Sequence, residues 1–456
     1  MTERAGSWTG RLRLAFIALF AAGVLFNGYR GPYRALFPPH VHEGLNWDFG
    51  LVYSLSRAWI IGANPYELEG VSRAWASSDG SPLGNPAPLR HAGILLYPPT
   101  TLATLAPLCA LPWTIARLLW MAANIAGVAL ALWVAARLAG LRGAALWGFL
   151  AAGVWLAPFA TNIAVGQTAV VTLLLIAAGQ WSRFRNNRPV QSPDQPGDAA
   201  PPPRGTWTCG LLLGLATALK PQMGLLFIIY EAGRLRWRSA IAAAAVVVLT
   251  AGIGVARLEA TGAPWWDSWQ RNLHNFSRVE DGNPTRSNPD TRHQMLNLHY
   301  PLHNFTDDRS LVQLLVYAIV GALSLAYFLT DLRRGRNKAE GRAELISLSM
   351  TSVISLLVVY HRFYDAVLLV LPLALAVQLI AQRTQRAAGW TLLALCAVFF
   401  VPGSVVLSAA ALKGWAPPAL TGSWLWENIL LPHETWALLA MAILLIPIRA
   451  GYRAPA

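Results

Sequence analysis

Asn46-Trp47-Asp48-Phe49-Gly50-Leu51-Val52-Tyr53 is followed by Arg57-Ala58-Trp59 and then by Gly62-Ala63-Asn64-Pro65-Tyr66. This stretch has a soluble look, yet it stands between a first apolar run and a long series of further apolar runs. It sets an acid, Asp48, among aromatic residues just after the first candidate membrane exit. The pattern predicts a short amphipathic helix lying on a membrane surface, with its aromatic side chains at headgroup level. A carboxylate in such a partly dry place has a raised pKa and is suited to act as a base. A capping acid, or an ion pair with Arg57, is the structural alternative. The other acids of this segment, Glu43, Glu67, Glu69 and Asp79, stand in more polar, turn-rich surroundings.

Composition makes the membrane setting general. The 456-residue chain is 55% hydrophobic and only 13% charged, against about 25% charged in a soluble domain. Crossing a hydrocarbon core of about 30 Å takes about 20 apolar residues. Apolar runs lie near 12–27, 115–136, 143–160, 167–181, 207–219, 222–232, 239–257, 311–331, 344–360, 364–381, 390–410 and 434–448. They predict an all-α polytopic membrane protein with about 12 transmembrane helices. The runs 207–219 and 222–232 are short and meet at Lys220-Pro221. A hairpin of two short helices meeting near the outer face fits them better than one crossing.

The net charge of +14 does not imply nucleic acid. Basic residues gather in short connections: Arg11 and Arg13; Arg137 and Arg142; Arg183, Arg185 and Arg188; Arg234, Arg236 and Arg238; Arg333, Arg334, Arg336 and Lys338; Arg383 and Arg386; Arg449 and Arg453. With the hairpin counted as two helices, all fall on one side, the cytoplasmic side under the positive-inside rule. The expected arrangement is a multi-pass protein of the plasma (inner) membrane with both termini cytoplasmic. Loops 28–114, 258–310 and 411–433 then face outward, with Asp48 on the extracytoplasmic side. The first apolar run has a basic start but no small-x-small cleavage site, and reads as an uncleaved anchor. Cys109, Cys209 and Cys396 all sit in apolar segments and read as buried packing residues.

Residues 186–206 are rich in proline and poor in apolar side chains, which predicts a disordered cytoplasmic linker. It divides the chain into an N-terminal module, 1–185, carrying the first outer loop, and a C-terminal module, 207–456, carrying the outer loop 258–310.

Further polar breaks mark candidate chemistry. Tyr97-Pro98-Pro99 gives a rigid entry to an apolar segment too short to cross. Gly166-Gln167 interrupts apolar sequence. Lys220 between two apolar helices is costly unless it reaches water or an anion, and a phosphate is its natural partner; snorkelling to the surface is the alternative. In Tyr360-His361-Arg362-Phe363-Tyr364-Asp365, His361 and Arg362 both suit a phosphate, Arg362 by planar bidentate donation, and Asp365 suits orienting His361. The loop 258–310 holds His274, His293, His299 and His303, whose spacing matches no standard metal set.

Together these pieces resemble glycosyltransferase family 87, integral-membrane enzymes of the GT-C fold that include polyprenyl-phosphate-mannose-dependent mannosyltransferases. The resemblance rests on Asp48-Phe49 with Tyr53, Arg57-Ala58-Trp59 leading to Asn64-Pro65-Tyr66, Tyr97-Pro98-Pro99, Gly166-Gln167, Gly214 to Pro221, and His361 with Tyr364-Asp365. It implies an inverting transfer of a sugar from a polyprenyl-phosphate donor to a lipid or glycan acceptor hydroxyl on the outer face. Asp48 matches the general base, and Lys220, His361 and Arg362 match the donor-phosphate site. Tyr53, Arg57, Asn64, Tyr66, Tyr97, Gln167, Gln294 and Asp365 match substrate-binding positions. The chain departs from the family where Arg292-His293-Gln294-Met295-Leu296 stands for an expected Asn-Gln-Ser-Leu, of which the comparison retains Gln294. A metal is compatible with this chemistry but not required, since no second acid adjoins Asp48. The rivals from other classes are a non-enzymatic transporter or lipid flippase, and a glycan ligase or polymerase.

Overall fold

The computed structural model describes residues 2–30, 47–78, 95–186, 206–279, 281–333, 342–383 and 385–451. The linker residues 187–205, Glu43, Asp79 and parts of several basic clusters lie outside them. Among the described residues the regular structure is helical, with one isolated backbone pairing between Met295 and Arg362. The first half comprises α1 (Thr2–Gly28), α2 (Trp47–Ile61), α3 (Leu68–Ala76), α4 (Pro99–Cys109), α5 (Trp113–Leu138), α6 (Gly143–Val154), α7 (Ala157–Val165) and α8 (Ala169–Asn186). After the linker follow α9 (Trp207–Leu219), α10 (Pro221–Gly233), α11 (Trp237–Glu259), α12 (Trp265–Arg278), α13 (His299–Leu302) and α14 (Arg309–Arg333). The chain ends with α15 (Arg342–Val358), α16 (Val370–Ala381), α17 (Arg386–Ala397), α18 (Gly403–Leu412), α19 (Pro418–Thr421) and α20 (His433–Gly451).

The twelve apolar runs fall on helices or bent helix pairs. By length and apolarity, 6 described helices can cross a membrane, or up to 8 when the pairs α6–α7, bent by 47°, and Arg386–Phe400 with α18, bent by 44°, each count as one span. The chain is thus a multi-pass membrane protein.

The short helices α9 and α10, with thirteen residues each, rise about 20 Å, less than the about 30 Å core. They fold back on each other as a hairpin whose vertex is Lys220. Close approach is what allows this: a Cβ on Gly224 would meet Thr217 Oγ1 at 2.3 Å and its Cα at 2.7 Å. The same device docks α9 on α11. A Cβ on Gly210 would lie 2.4 Å from the Ser239 carbonyl, and one on Gly214 2.8 Å from that of Ala243. In lipid, where apolar surface gains nothing by leaving the solvent, such small-residue seams are what hold helices together.

Helix α2 corrects the expectation of a surface helix. Phe49, Leu51, Val52, Tyr53, Leu55 and Ala58 are all buried, as are Ser54 and Ser56. Apart from Asp48 and Arg57 the helix has no charged residue, and a helix without a polar face packs inside. The amphipathic helix is instead α12, which buries Trp265, Ser268 and Asn272 while exposing Asp267, Arg271, His274 and Arg278.

Several arginines of the basic clusters meet at one end of the bundle. There Arg236 donates to both Glu344 oxygens at 2.7 and 2.8 Å, Arg183 pairs with Glu344, and Asp331 accepts from Arg234 at 2.7 Å and from Arg449 Nε at 2.8 Å. These residues come from the adjoining ends of α8, α11, α14, α15 and α20 and the turn after α10, so the basic ends of these helices share one level. Lys220 lies at the opposite end of the hairpin.

Candidate active site

Each polar group of the site is placed by a local break. Helix α9 stops because Lys220 leaves helical geometry (φ −149°, ψ 85°) and Pro221 opens α10. Thr101 Oγ1 of α4 donates to the freed carbonyls of Ala218 and Leu219 at 3.3 and 3.1 Å, satisfying acceptors that a helix end leaves open. Helix α7 ends on Gly166 at φ 72°, a left-handed cap that favours glycine. Gln167 follows directly. Asp48 lies in the first turn of α2. Its neighbour Phe49 stacks on Trp120 of α5 at 5.2 Å, and the Trp120 indole donates to the Gly166 carbonyl at 2.7 Å. One tryptophan therefore fixes the neighbours of both Asp48 and Gln167. The segment before the 3-10 turn Phe363–Leu369 is held by the chain just after Gln294, where Leu296 N–H donates to the His361 carbonyl at 3.0 Å.

These breaks converge on a cleft of about 420 Å³ lined by Asp48, Tyr97, Gln167, Lys220, Arg362 and Asp365, with apolar walls from Leu51, Leu96, Leu219, Leu273, Phe276 and Val359. Gln167 Nε2 donates to Asp48 Oδ2 at 2.9 Å and to the Tyr97 hydroxyl at 3.3 Å. Gln167 Oε1 accepts from Lys220 Nζ at 3.1 Å. A lysine only donates, so it fixes the way the amide points. Lys220 Nζ also donates to Asp365 Oδ1, and it lies 4.9 Å from the Tyr364 ring centre. The other Asp365 oxygen faces His361 Nδ1 at 2.9 Å; an ionised carboxylate only accepts, so this nitrogen carries the proton. Arg362 Nε donates to the Tyr360 hydroxyl at 2.5 Å, and its guanidinium pairs with Asp281 at 2.8 Å.

Burial pushes the Asp48 carboxyl above the ordinary aspartate range, against the opposing pull of the Gln167 hydrogen bond and the positive fields of Arg362 and Lys220. Burial also holds the Tyr97 hydroxyl well above its usual value, and the nearby Asp48 charge adds to this. Tyr97 therefore stays a neutral donor and acceptor beside the acid. The arrangement offers a proton acceptor and two cations on one cleft.

The remaining candidate residues have other places. His361 is buried behind Asp365, outside the cleft lining. Tyr53 is buried and donates to the Leu111 carbonyl at 2.9 Å. Arg57 caps the end of α4 through the carbonyls of Cys109 and Ala110, at 3.3 and 2.8 Å. Asn64 forms a turn by accepting from Tyr66 N–H at 3.0 Å, and the Tyr66 hydroxyl donates to the Tyr97 carbonyl at 3.0 Å. These residues brace the cleft wall rather than face it. Gln294 sits in the 3-10 turn Arg292–Gln294, beside Met295, which pairs with Arg362. The cleft also takes in Tyr360, Tyr364 and Asp281. Asp281 was not singled out by sequence, where nothing separates it from other acids of the same segment such as Asp267 and Asp290.

The fold and the cleft together define a helical multi-pass membrane protein with an acid and cations facing one groove. Glycosyltransferase family 87 matches residues 95–359, more than half of the chain, and the protein belongs to that family of membrane glycosyltransferases. The matched stretch includes Tyr97, Gln167 and Lys220, and ends just before the segment carrying His361, Arg362 and Asp365; Asp48 precedes it. No curated protein and no solved structure matches the chain.

Proposed function

We propose that the protein transfers a sugar, mannose or another hexose or pentose, from a polyprenyl-phosphate donor to a hydroxyl of a lipid or glycan acceptor, with inversion, in a GT-C-type fold on the extracytoplasmic face of the plasma membrane. The observation that carries this reading is the single amide of Gln167 joining Asp48 to Lys220. An acid suited to take a proton and a cation suited to hold a phosphate are fixed on one cleft. In this reading Asp48 accepts the proton of the acceptor hydroxyl as its oxygen attacks the anomeric carbon. The bond to the lipid phosphate breaks, and Lys220 and Arg362 offset the charge that grows on the departing phosphate. Phosphate is already a good leaving group, so the scheme needs neither a general acid nor a metal. The apolar walls from Leu51, Leu96, Leu219 and Phe276 suit the first isoprene units.

The test is a transfer assay in detergent or liposomes with polyprenyl-phosphate-linked sugars and a panel of lipid and glycan acceptors. Turnover that depends on Asp48 supports the reading. Movement of lipid between leaflets without any transfer would replace it with a flippase.

A further inference from the structure

Among the described residues, each cation lining the cleft already has a carboxylate. Lys220 is paired with Asp365 and Arg362 with Asp281, while Asp48 adds a third acid. The charged groups lining the cleft among the described residues are thus two bases and three acids. Among these residues a phosphate entering the cleft meets only cations that already hold a carboxylate, and it binds most readily where a carboxylate yields.

The three acids differ in how firmly they are held. Asp365 is nearly inaccessible and is gripped between Lys220 and His361. Asp48 is hydrogen-bonded by Gln167 and is needed as the base. Asp281 has a side chain 41% exposed, follows the end of α12, and pairs across the cleft rim with an Arg362 side chain that is 20% exposed. With one partner at the surface, this pair is held less firmly than the fully buried Lys220–Asp365 pair, while an arginine fork binds a phosphate with bidentate geometry.

We propose that Asp281 is a placeholder for the donor phosphate: its carboxylate occupies the Arg362 guanidinium in the empty cleft and is displaced when the lipid phosphate binds. The proposal rests on the donor reading given above. Asp281 thereby sets the threshold for donor entry, since a neutral head group brings no anion to exchange for the carboxylate. Displacement also frees the chain after α12, whose Phe276 packs edge-on against Tyr360 at 5.1 Å on the same rim.

Farnesyl phosphate and farnesol are suitable probes, with binding followed by tryptophan fluorescence of the full-length protein in detergent. Asp281→Asn should bind farnesyl phosphate about fivefold more tightly or better, since a surface ion pair is worth up to about 1 kcal/mol and this one is partly buried. Asp290→Asn removes the same charge from the same outer segment, away from the cleft, and should leave the affinity unchanged. In an Arg362→Ala or Arg362→Lys background the gain from Asp281→Asn should vanish or shrink, because its partner is gone or altered. Unchanged or weaker binding by Asp281→Asn would overturn the placeholder role, as would an equal gain from Asp290→Asn or a gain that persists without Arg362. A wild type that binds farnesyl phosphate no better than farnesol would instead overturn the donor reading itself, and the placeholder with it.

Discussion

The carboxylate of Asp48 and the side-chain amide of Gln167 lie 2.9 Å apart, with the amide turned toward the acid by Lys220 on its far side. The position of the base is thus tied to the position of the cation. Residues 119 apart in sequence form one unit, and the following outcomes are expected from it.

Asp48→Asn keeps the shape and the hydrogen bond from Gln167 but cannot accept a proton. Turnover should fall by about two to four decades, the usual worth of a positioned base, while polyprenyl-phosphate binding is retained. Near-normal turnover in the variant would move the base elsewhere.

The pH profile follows from the direction of the Asp48 shift. Burial raises its pKa, so the ionised base is lost on the acid side at a higher pH than for an exposed aspartate. The acid limb of kcat/KM should lie correspondingly high. Gln167→Leu removes a group that stabilises the ionised form, so the limb should move further up. At a fixed pH on the acid side of that limb, the rate should drop roughly tenfold to a hundredfold, the worth of a hydrogen bond to a charged group. An unmoved acid limb in Gln167→Leu would detach Gln167 from the base.

Lys220 and Asp365 are both nearly inaccessible and paired with each other. Lys220→Met leaves a buried carboxylate with the His361 ring as its remaining side-chain hydrogen-bond partner, and should cost roughly 3–5 kcal/mol of stability, read as a lower melting temperature in detergent. Lys220→Met with Asp365→Asn should recover most of that stability but not the affinity for farnesyl phosphate. Recovery of both would make Lys220 a structural residue only.

His361 approaches the site through Asp365 rather than from the cleft. His361→Asn retains a donor for Asp365 and should keep donor affinity close to wild type, whereas His361→Ala should weaken it. Equal, large losses in both variants would place the ring itself on the phosphate.

Topology is testable against a low background, since Cys109, Cys209 and Cys396 are all buried. Asn275→Cys on exposed α12 should react with an impermeant maleimide added outside intact cells, and exposed Arg238→Cys only after permeabilisation. Labelling of Arg238→Cys from outside would invert the arrangement.

The chain's sequence determines its helical, multi-pass character, because a run of apolar residues in lipid must satisfy its own backbone and only a helix does so locally. It also marks the hairpin at Lys220-Pro221, because proline stops one helix and starts the next at a fixed point. The polar breaks at Asp48, Gln167, Lys220 and Asp365 are legible for the same reason: polar groups are expensive among apolar ones and therefore conspicuous. Tertiary structure alone decides what those breaks do to one another. Tyr53, Arg57, Asn64 and Tyr66 read like site residues, but their partners are backbone carbonyls, turn groups and core side chains that no local pattern reveals. His361 turns out to stand behind Asp365, and Asp281 reaches Arg362 only because the chain returns from α12 over the cleft. Helix α2 is buried instead of lying on the surface, since α4 and α5 cover it. Hydrophobic periodicity records which face of a helix is apolar; it carries no record of which distant helix will cover that face.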